Sequence, residues 1–266
     1  MIDTHVHLDD PAFDEDRDEV IQRIQDQKID FVVNIGSDLP SSIRGVDLAR
    51  DYDFIYAAIG VHPHEAKTYG PEVEEKLRAL AQEKKVVALG EIGLDYFYDY
   101  SPREVQREVF QKQLDLAHDL GLPIVIHSRE ATKETFDIIA DHLDKYPEDK
   151  VNIHCFSGSV EVMEAYIKMG CFIALGGTVT FKNAKVPKEV AKKVPLDHLL
   201  LETDCPYLTP EPKRGKRNEP VNVFLVADYI ANLRGMSLDE LLKVTDQNAR
   251  RFYGIKAWRP LRKLSL

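Results

Sequence analysis

The stretch that decides the fold runs from Ser101 to His127 and reads SPREVQREVFQKQLDLAHDLGLPIVIH. It begins with the capping-box pattern Ser101-Pro102-Arg103-Glu104, and Gly121 supplies a helix stop. Apolar residues follow helical spacing between these two signals. The stretch then ends in an apolar run, Pro123–His127, that is typical of a buried strand. It therefore predicts one α/β unit, an amphipathic helix leading into a strand.

The same alternation of strand and helix covers most of the chain. Predicted strand centres lie about 28 residues apart on average, close to the roughly 30 residues that a βα unit occupies. Continuous apolar runs such as Phe31-Val32-Val33 are typical of a parallel sheet covered on both faces. We predict a single-domain (β/α)8 TIM barrel, with an open doubly wound sheet as the alternative. The predicted strands are Ile2–His7, Asp30–Ile35, Phe54–Val61, Val86–Ile92, Pro123–His127, Val151–Phe156, Cys171–Leu175 and His198–Thr203.

Length and composition limit the classes of protein that remain possible. The chain has 266 residues, of which 44% are hydrophobic and 30% charged, so it can bury a large core. We place the barrel domain at residues 1–254 and expect residues 255–266, which show no clear pattern, to be a C-terminal tail. No apolar run approaches the ~20 residues that span a bilayer, and the N-terminus lacks a signal-peptide pattern. Three cysteines without a C-x-x-C pair do not make a disulfide framework.

These features predict a cytoplasmic, soluble protein with no membrane association and no obligate protein partner. The net charge of −10 argues against wrapping a long stretch of nucleic acid. It still allows the chain to bind one anionic group locally.

Metal-binding residue types cluster where the predicted strands end. In a barrel of this kind the active site lies at the carboxyl ends of the strands, and five of the eight predicted strands end in histidine or an acid. His5 and His7 are two residues apart on a strand, so both side chains can face the interior. A single histidine at a strand end is usually structural. Unrelated structural histidines and acids would not all lie at the same end of the strands, so their clustering favours a metal site. The predicted ligands are His5, His7, Glu91, His127, His154 and Asp204.

Six motifs stand out in the chain, and five of them carry these ligands. They are Asp3-Thr4-His5-Val6-His7, Gly60-Val61-His62-Pro63-His64, Gly90-Glu91-Ile92-Gly93-Leu94-Asp95, His127-Ser128-Arg129, His154-Cys155-Phe156-Ser157-Gly158 and Glu202-Thr203-Asp204-Cys205-Pro206. From residue 2 to about residue 254 the set resembles the TatD-related metal-dependent hydrolases, a branch of the amidohydrolase-type barrels that includes deoxyribonucleases. The resemblance implies a divalent-metal phosphodiesterase that degrades DNA, usually as an exonuclease. It also places Glu91 where related barrels carry a carboxylated lysine that bridges two metals.

Six ligands are too many for one tetrahedral cation but suit two divalent cations that share a carboxylate. We assign Glu91 as the bridge, His5, His7 and Asp204 to one metal, and His127 and His154 to the other. The nitrogen and oxygen ligands fit Zn²⁺, Mn²⁺ or Co²⁺, and Mg²⁺ less comfortably. The expected chemistry is attack by a water that both metals activate, with Glu91 and Asp204 as the catalytic residues. Asp204 would orient that water and carry its proton to the leaving group.

Residues around the ligands have more open roles. Asp3 and Glu202 lie two positions before a ligand, so we expect them to face inward and hold metal-bound imidazoles, with a buried ion pair as the alternative. Predicted contacts to the end of a DNA strand come from His62, Arg129, Lys213, Arg214, Lys216 and Arg217; a turn, a salt bridge or a solvated loop are the structural alternatives. Four aromatic residues follow the fourth strand: Tyr96, Phe97, Tyr98 and Tyr100. We expect them to pack under their loop rather than stack on bases.

Two alternatives to a DNA exonuclease stay open at this point. The same activated water could attack a carbonyl, which would make the protein a hydrolase of a small ester, amide or aminoacyl linkage. A non-catalytic protein with a structural metal is the other alternative, although structural sites are closed by four protein ligands.

Overall fold

The computed structural model describes residues 1–27, 29–142 and 150–256. Within them eight strands form one sheet in chain order, and every neighbouring pair is parallel. The strands are β1 (Ile2–Val6), β2 (Phe31–Ile35), β3 (Ile55–Ile59), β4 (Val86–Asp95), β5 (Ile124–Arg129), β6 (Val151–Ile153), β7 (Phe172–Leu175) and β8 (Leu199–Leu201). All eight predicted strands are present, with shifted ends.

The sheet closes on itself where β1 meets the segment that follows β8. Val6 pairs in parallel with Cys205, and the His7 amide donates to the Cys205 carbonyl at 2.9 Å. Lower on the same seam, the Thr4 hydroxyl donates to the Leu201 carbonyl at 3.0 Å. These contacts join the last strand to the first, which confirms the predicted barrel and excludes an open doubly wound sheet.

Helices cover the outside of the barrel. On β5, the outward-facing Ile124 and Ile126 are fully buried in the layer between strands and helices, whereas Val125 points into the interior. This burial on both faces explains why the strands are almost continuously apolar. The helices are α1 (Arg17–Asp26), α2 (Leu39–Asp51), α3 (Pro71–Leu80), α4 (Arg103–Leu120), α5 (Thr132–His142), α6 (Val160–Lys168), α7 (Lys185–Lys193), α8 (Val223–Arg234) and α9 (Leu238–Tyr253).

Of the two signals predicted to bound α4, the stop at Gly121 is present and the cap at Ser101 is not. Gly121 ends α4 with φ = 66°, the left-handed conformation that favours glycine, as predicted. Ser101 does not cap that helix, because its hydroxyl donates to the His64 carbonyl at 2.8 Å and Pro102 takes the cap position. The contact with His64 ties the start of α4 to the loop after β3.

The end of α9 fills the amino-terminal end of the barrel. Phe252 and Tyr253 are buried among inward-facing residues of the strands, and the Phe252 ring centroid lies 5.6 Å from that of Phe172. The Tyr253 hydroxyl donates to the Thr4 carbonyl at 2.8 Å. This plug leaves the carboxyl ends of the strands as the side on which a site can open.

The proposed boundary between barrel and tail stays a prediction. Ile255, the first residue of the predicted tail, is only 8% exposed and packs with the plug. Residues 257–266 lie outside the described part of the chain. Among the described residues, no helix has both the length and the apolar character needed to cross a membrane, and all three cysteines are unpaired.

Candidate metal centre

The six predicted ligands come together at the carboxyl ends of the strands. His5, Glu91 and His127 lie on β1, β4 and β5. His7 and His154 follow directly after β1 and β6, and Asp204 lies three residues after the end of β8. The strands β6 and β8 end earlier than predicted, and the following Cys155 and Asp204 have φ of 44° and 57°. Residues other than glycine rarely adopt this left-handed backbone conformation, and those that do concentrate at functional sites.

Glu91 lies at the middle of this group. Its Oε1 is 2.6 Å from His127 Nδ1 and 3.1 Å from His154 Nε2, and its Oε2 is 3.5 Å from His5 Nε2. Burial alone would raise the pKa of Glu91, but the surrounding histidines, His154 foremost, hold it well below its usual range. Glu91 is therefore a carboxylate facing three imidazoles, as a bridging ligand requires.

Asp204 and His7 form the opposite side of the group. Asp204 Oδ1 is 3.3 Å from His7 Nε2 and 3.6 Å from His5 Nε2. His7 Nδ1 lies 2.9 Å from the Ile35 carbonyl, which can only accept, so this nitrogen carries the proton. Burial would lower the pKa of His7, but its hydrogen bond and charge interaction with Asp204 raise it to about 9.

Ligand atoms in the described residues fall into overlapping groups, within each of which all atoms lie within 4.8 Å of one another. One is the predicted set of His5, His7 and Asp204. Glu91 belongs to two others, one with His5 and His154 and one with His62 and His127. His127 and His154 are thus both next to Glu91 but on different sides of it, with ring centroids 6.2 Å apart. His62 occupies the space beside His127.

The donors fit divalent cations. Nitrogen and carboxylate oxygen are the ligands that Zn²⁺, Mn²⁺ and Co²⁺ accept, and no thiolate is needed to complete the groups around Glu91. His5 Nε2 and His7 Nε2 face each other at 3.2 Å, so two imidazole nitrogens point at the same small space. Both nitrogens could coordinate one cation there, since a metal binds imidazole in its neutral form.

The two supporting acids differ in what they hold. Glu202 lies beside the imidazole that we expect it to hold: its Oε1 is 3.2 Å from His154 Nδ1 and accepts a hydrogen bond from the Cys155 amide at 2.7 Å. Asp3 accepts instead from the Thr203 amide at 2.9 Å and the Thr203 hydroxyl at 2.6 Å, besides the His5 amide. The expected imidazole partner of Asp3 is therefore replaced by Thr203, because Asp3 lies at the closing seam where Thr203 is the nearest donor.

Asp95 is a site residue to which the sequence analysis gave no role. Its Oδ2 lies 3.0 Å from both His127 Nε2 and His64 Nε2. Burial would raise the pKa of Asp95, but the hydrogen bonds from His127 and His64 lower it, so the group is a carboxylate. It fixes His127 with Nδ1 toward Glu91. Strand alternation was the available signal, since residues 91, 93 and 95 of β4 share a face.

His62 stabilises a turn and also directs its ring toward the metal centre, while its contact with a phosphate stays a prediction. Its Nδ1 accepts a hydrogen bond from the His64 amide at 3.1 Å, which opens a short helical turn over Pro63–Thr68. Its Nε2 points toward the centre and lies 3.7 Å from Glu91 Oε1. Burial lowers the pKa of His62 well below its ordinary value, so the ring is neutral, with Nε2 as the donor.

Arg129 and the predicted basic clamp are mostly engaged within the fold. The exposed Arg129 guanidinium lies 4.1 Å from the Phe97 ring centroid and 4.8 Å from that of Tyr98. Arg217 makes two hydrogen bonds of 2.7 Å to Asp16. The other three residues of the clamp, Lys213, Arg214 and Lys216, are exposed. The Lys213 ammonium donates to Asn222, and the Arg214 guanidinium lies over the Phe181 ring.

Known proteins resemble this chain over nearly its whole length. The family model described as TatD related DNase matches residues 2–254. The uncharacterized metal-dependent hydrolase YabD of Bacillus subtilis is 46% identical over 257 residues, which are 96% of this chain and 99% of YabD. The 3'-5' ssDNA/RNA exonuclease TatD of Escherichia coli K12 is 34% identical over 261 residues, 96% of this chain and 99% of TatD.

The fold agrees with these matches. The crystal structure of YjjV, a TatD homologue from Escherichia coli K12, superposes with a TM-score of 0.90 at 31% identity, covering 96% of this chain and 98% of YjjV. The barrel, the histidines and acids at its rim and the matched sequences thus lead to one conclusion. This chain belongs to the TatD-related DNase family.

Proposed function

We propose that this protein is a two-metal phosphodiesterase that shortens DNA from a strand end. The observation that carries the proposal is the position of Glu91, whose two oxygens face His127, His154 and His5 at 2.6–3.5 Å. A carboxylate shared between groups of imidazoles is what two neighbouring cations require.

The proposed ligands keep the assignment made from the sequence. His5, His7 and Asp204 would hold one divalent cation, and His127 and His154 the other, with Glu91 shared. Zn²⁺, Mn²⁺, Co²⁺ and Mg²⁺ are the ions to test. When bound, the cations would supply the Lewis acidity that polarises the phosphodiester and acidifies the attacking water.

Charge explains why an acidic protein needs these cations to bind an acidic substrate. Hydrogen bonds and neighbouring histidines lower the pKa values of Glu91, Asp95 and Asp204, so the centre carries several negative charges of its own. Without metal, His7, His127 and His154, whose pKa values are raised, balance part of this charge, and bound cations would take over that role and attract a phosphate.

Asp204 is the residue best placed to handle the proton. Its side chain is 14% exposed, against 5% for Glu91, so it can be reached from the rim. Burial would raise the pKa of Asp204, but His7 and the other histidines lower it, which keeps the group able to accept a proton from the attacking water. It would then return that proton to the leaving oxygen. His62, neutral and with Nε2–H directed inward, would donate to a phosphate oxygen.

The proposal for the substrate rests on the relatives and on the rim. One relative over 96% of the chain is named as a single-strand DNA and RNA exonuclease. Exposed basic and aromatic side chains beside the centre suit a nucleic-acid strand better than a small ester. The unpaired cysteines are compatible with the cytoplasmic location that we predicted and still propose.

The test is a comparison of substrates on metal-depleted and reconstituted protein. We expect about two divalent cations per chain, hydrolysis of an end-labelled oligonucleotide that chelation abolishes, and its recovery when metal is returned. A panel of aryl esters and aminoacyl adducts should be cleaved far more slowly. Activity confined to that panel would support the small-molecule hydrolase instead. One cation with four protein ligands and no hydrolysis would support a structural metal.

A further inference from the structure

The loop after β4 exposes three large aromatic rings at the rim. Phe97, Tyr98 and Tyr100 are 53%, 44% and 58% exposed. Of the four aromatic residues expected to pack under the loop, only Tyr96 does so, with its hydroxyl 2.5 Å from Glu134 and the Arg103 guanidinium over its ring. Large exposed apolar side chains grouped in one place usually mark a binding surface.

The three rings are held in place. The Asp95 Oδ1 accepts hydrogen bonds from the Phe97 and Tyr98 amides, both at 3.0 Å. The rings of Tyr98 and Tyr100 are stacked, with centroids 5.2 Å apart and planes 20° apart. Arg129 lies over Phe97 and Tyr98. A ligand would therefore meet a surface whose shape is already formed, which reduces the entropy cost of binding.

The rings adjoin the metal centre directly. The His64 ring centroid is 5.4 Å from that of Tyr98 and 4.8 Å from that of Tyr100. His64 in turn shares Asp95 with His127, one of the proposed ligands. Two side chains, His64 and Asp95, thus separate the rings from His127, a proposed ligand beside the position of the scissile phosphate.

The chemistry of this surface points to unpaired bases. Aromatic rings with a cation beside them bind flat π-systems next to phosphates, and every base has such a face. In a duplex these faces are covered by neighbouring pairs, whereas a single strand can present them. We propose that Phe97, Tyr98 and Tyr100 form a stacking platform for unpaired bases next to the bond that is cut. This inference rests on the proposed phosphodiesterase function.

The experiment compares ring removal in the protein with base removal in the substrate. Tyr98→Leu and Tyr100→Leu are assayed on a single-stranded oligonucleotide and on versions that carry abasic nucleotides at one end or the other. The matched control is Phe224→Leu, which removes an equally exposed ring (46%) on α8. Tyr100→Phe keeps the ring and should keep wild-type kinetics.

We expect each leucine variant to raise KM for the normal oligonucleotide about tenfold or more, with a smaller change in kcat. Abasic nucleotides at the end that occupies the platform should raise the KM of the wild-type protein by a similar factor. Combining a leucine variant with the abasic strand should raise KM no further than either change alone, because the ring and the base interact with each other. Wild-type protein should also cleave a blunt duplex much more slowly than a single strand.

Failures of the two proposals look different. If the wild-type protein cleaves the normal and abasic strands equally well, or the leucine variants keep the wild-type KM, the platform is wrong and the phosphodiesterase stands. If the wild-type protein cleaves no strand in the presence of metal, the proposed function itself fails. The abasic comparison uses only wild-type protein, so it decides the question even if a leucine variant does not fold.

Discussion

The aromatic loop (residues 96–100) and the basic loop (residues 213–217) occupy two parts of the same rim and differ in what they leave exposed. Each belongs to a segment that begins with an acid holding two imidazoles: Asp95 precedes the aromatic loop, and Asp204 comes before the basic one. In the basic loop, Arg217 and Lys213 have hydrogen-bond partners within the fold. In the aromatic loop, three rings face solvent.

The difference shows that a charge on the surface is not the same as a charge available to a ligand. A guanidinium that already makes two hydrogen bonds to Asp16 must give them up before it can bind a phosphate. The rings have partners too, Arg129 over Phe97 and Tyr98, but about half of each aromatic side chain still faces solvent and can be covered without breaking a hydrogen bond. The more accessible binding surface is therefore the aromatic one, even though the basic run is more conspicuous in an acidic chain.

The largest expected effect comes from the acid on the side of the basic loop. Asp204→Asn should lower kcat on an oligonucleotide by about 10²- to 10⁴-fold, because the amide cannot accept the proton. Folding should persist, since asparagine tolerates the φ of 57° at this position. The measurements are single-turnover rates and thermal unfolding. The control is Asp197→Asn, an exposed acid just before β8 at the opposite end of the barrel. Near-wild-type turnover would remove Asp204 from the mechanism.

The acid on the side of the aromatic loop should have a smaller effect that metal can rescue. Asp95→Asn weakens the hold on His127 without removing a ligand, so metal affinity should fall about 10- to 100-fold. Turnover should return toward the wild-type value at high metal concentration, which separates positioning from catalysis. Titration calorimetry of the metal-free protein measures the affinity.

The control for this variant lies in the same loop. Asp99→Asn removes an exposed carboxylate that pairs with Arg103 on the surface, and its φ of 51° also suits asparagine. It should leave metal affinity unchanged. Equal affinities for the Asp95 variant and the wild type would mean that Asp95 contributes nothing to the centre.

The smallest effects are expected in the basic loop, where one residue should contact the strand and another should stabilise the fold. Lys216→Gln, at an exposed position, should raise KM a few-fold and reduce the salt slope of binding by about 0.7, the value for one phosphate contact on a single strand. Arg217→Gln should instead lower stability by about 1 kcal/mol through loss of the Asp16 pair. Salt-dependent kinetics and thermal unfolding distinguish the two. The same salt slope in both variants and the wild type would mean that this loop does not contact the strand.

The barrel could be predicted from the sequence because apolar runs recur at the interval of a βα unit. That the six candidate ligands come together could be predicted because strands of such a barrel present their carboxyl ends to one rim. What the pattern does not contain is the contact between distant residues. Asp3 is two residues from His5, as the alternation requires, yet its partner is Thr203 across the closing seam. Likewise the pairing of Arg217 with Asp16, 201 positions away, has no local signal.

Strand ends were hard to predict for a related reason. Cys155 and Asp204 are preceded by good strand sequences, but both adopt a left-handed φ that ends regular pairing. Neither residue type by itself predicts that conformation. The same departures from regular pairing bring Asp204 beside His5 and His7, so the positions hardest to predict are among those that build the site.

With Phe252 and Tyr253 closing the lower end of the barrel, reactants and products must use the same upper opening as entrance and exit. Under the proposed function, a released nucleotide has to leave past the strand from which it was cut. Departure of the product and advance of the strand then compete for one passage. An enzyme with this architecture should tend to let go of its strand between successive cuts rather than travel along it.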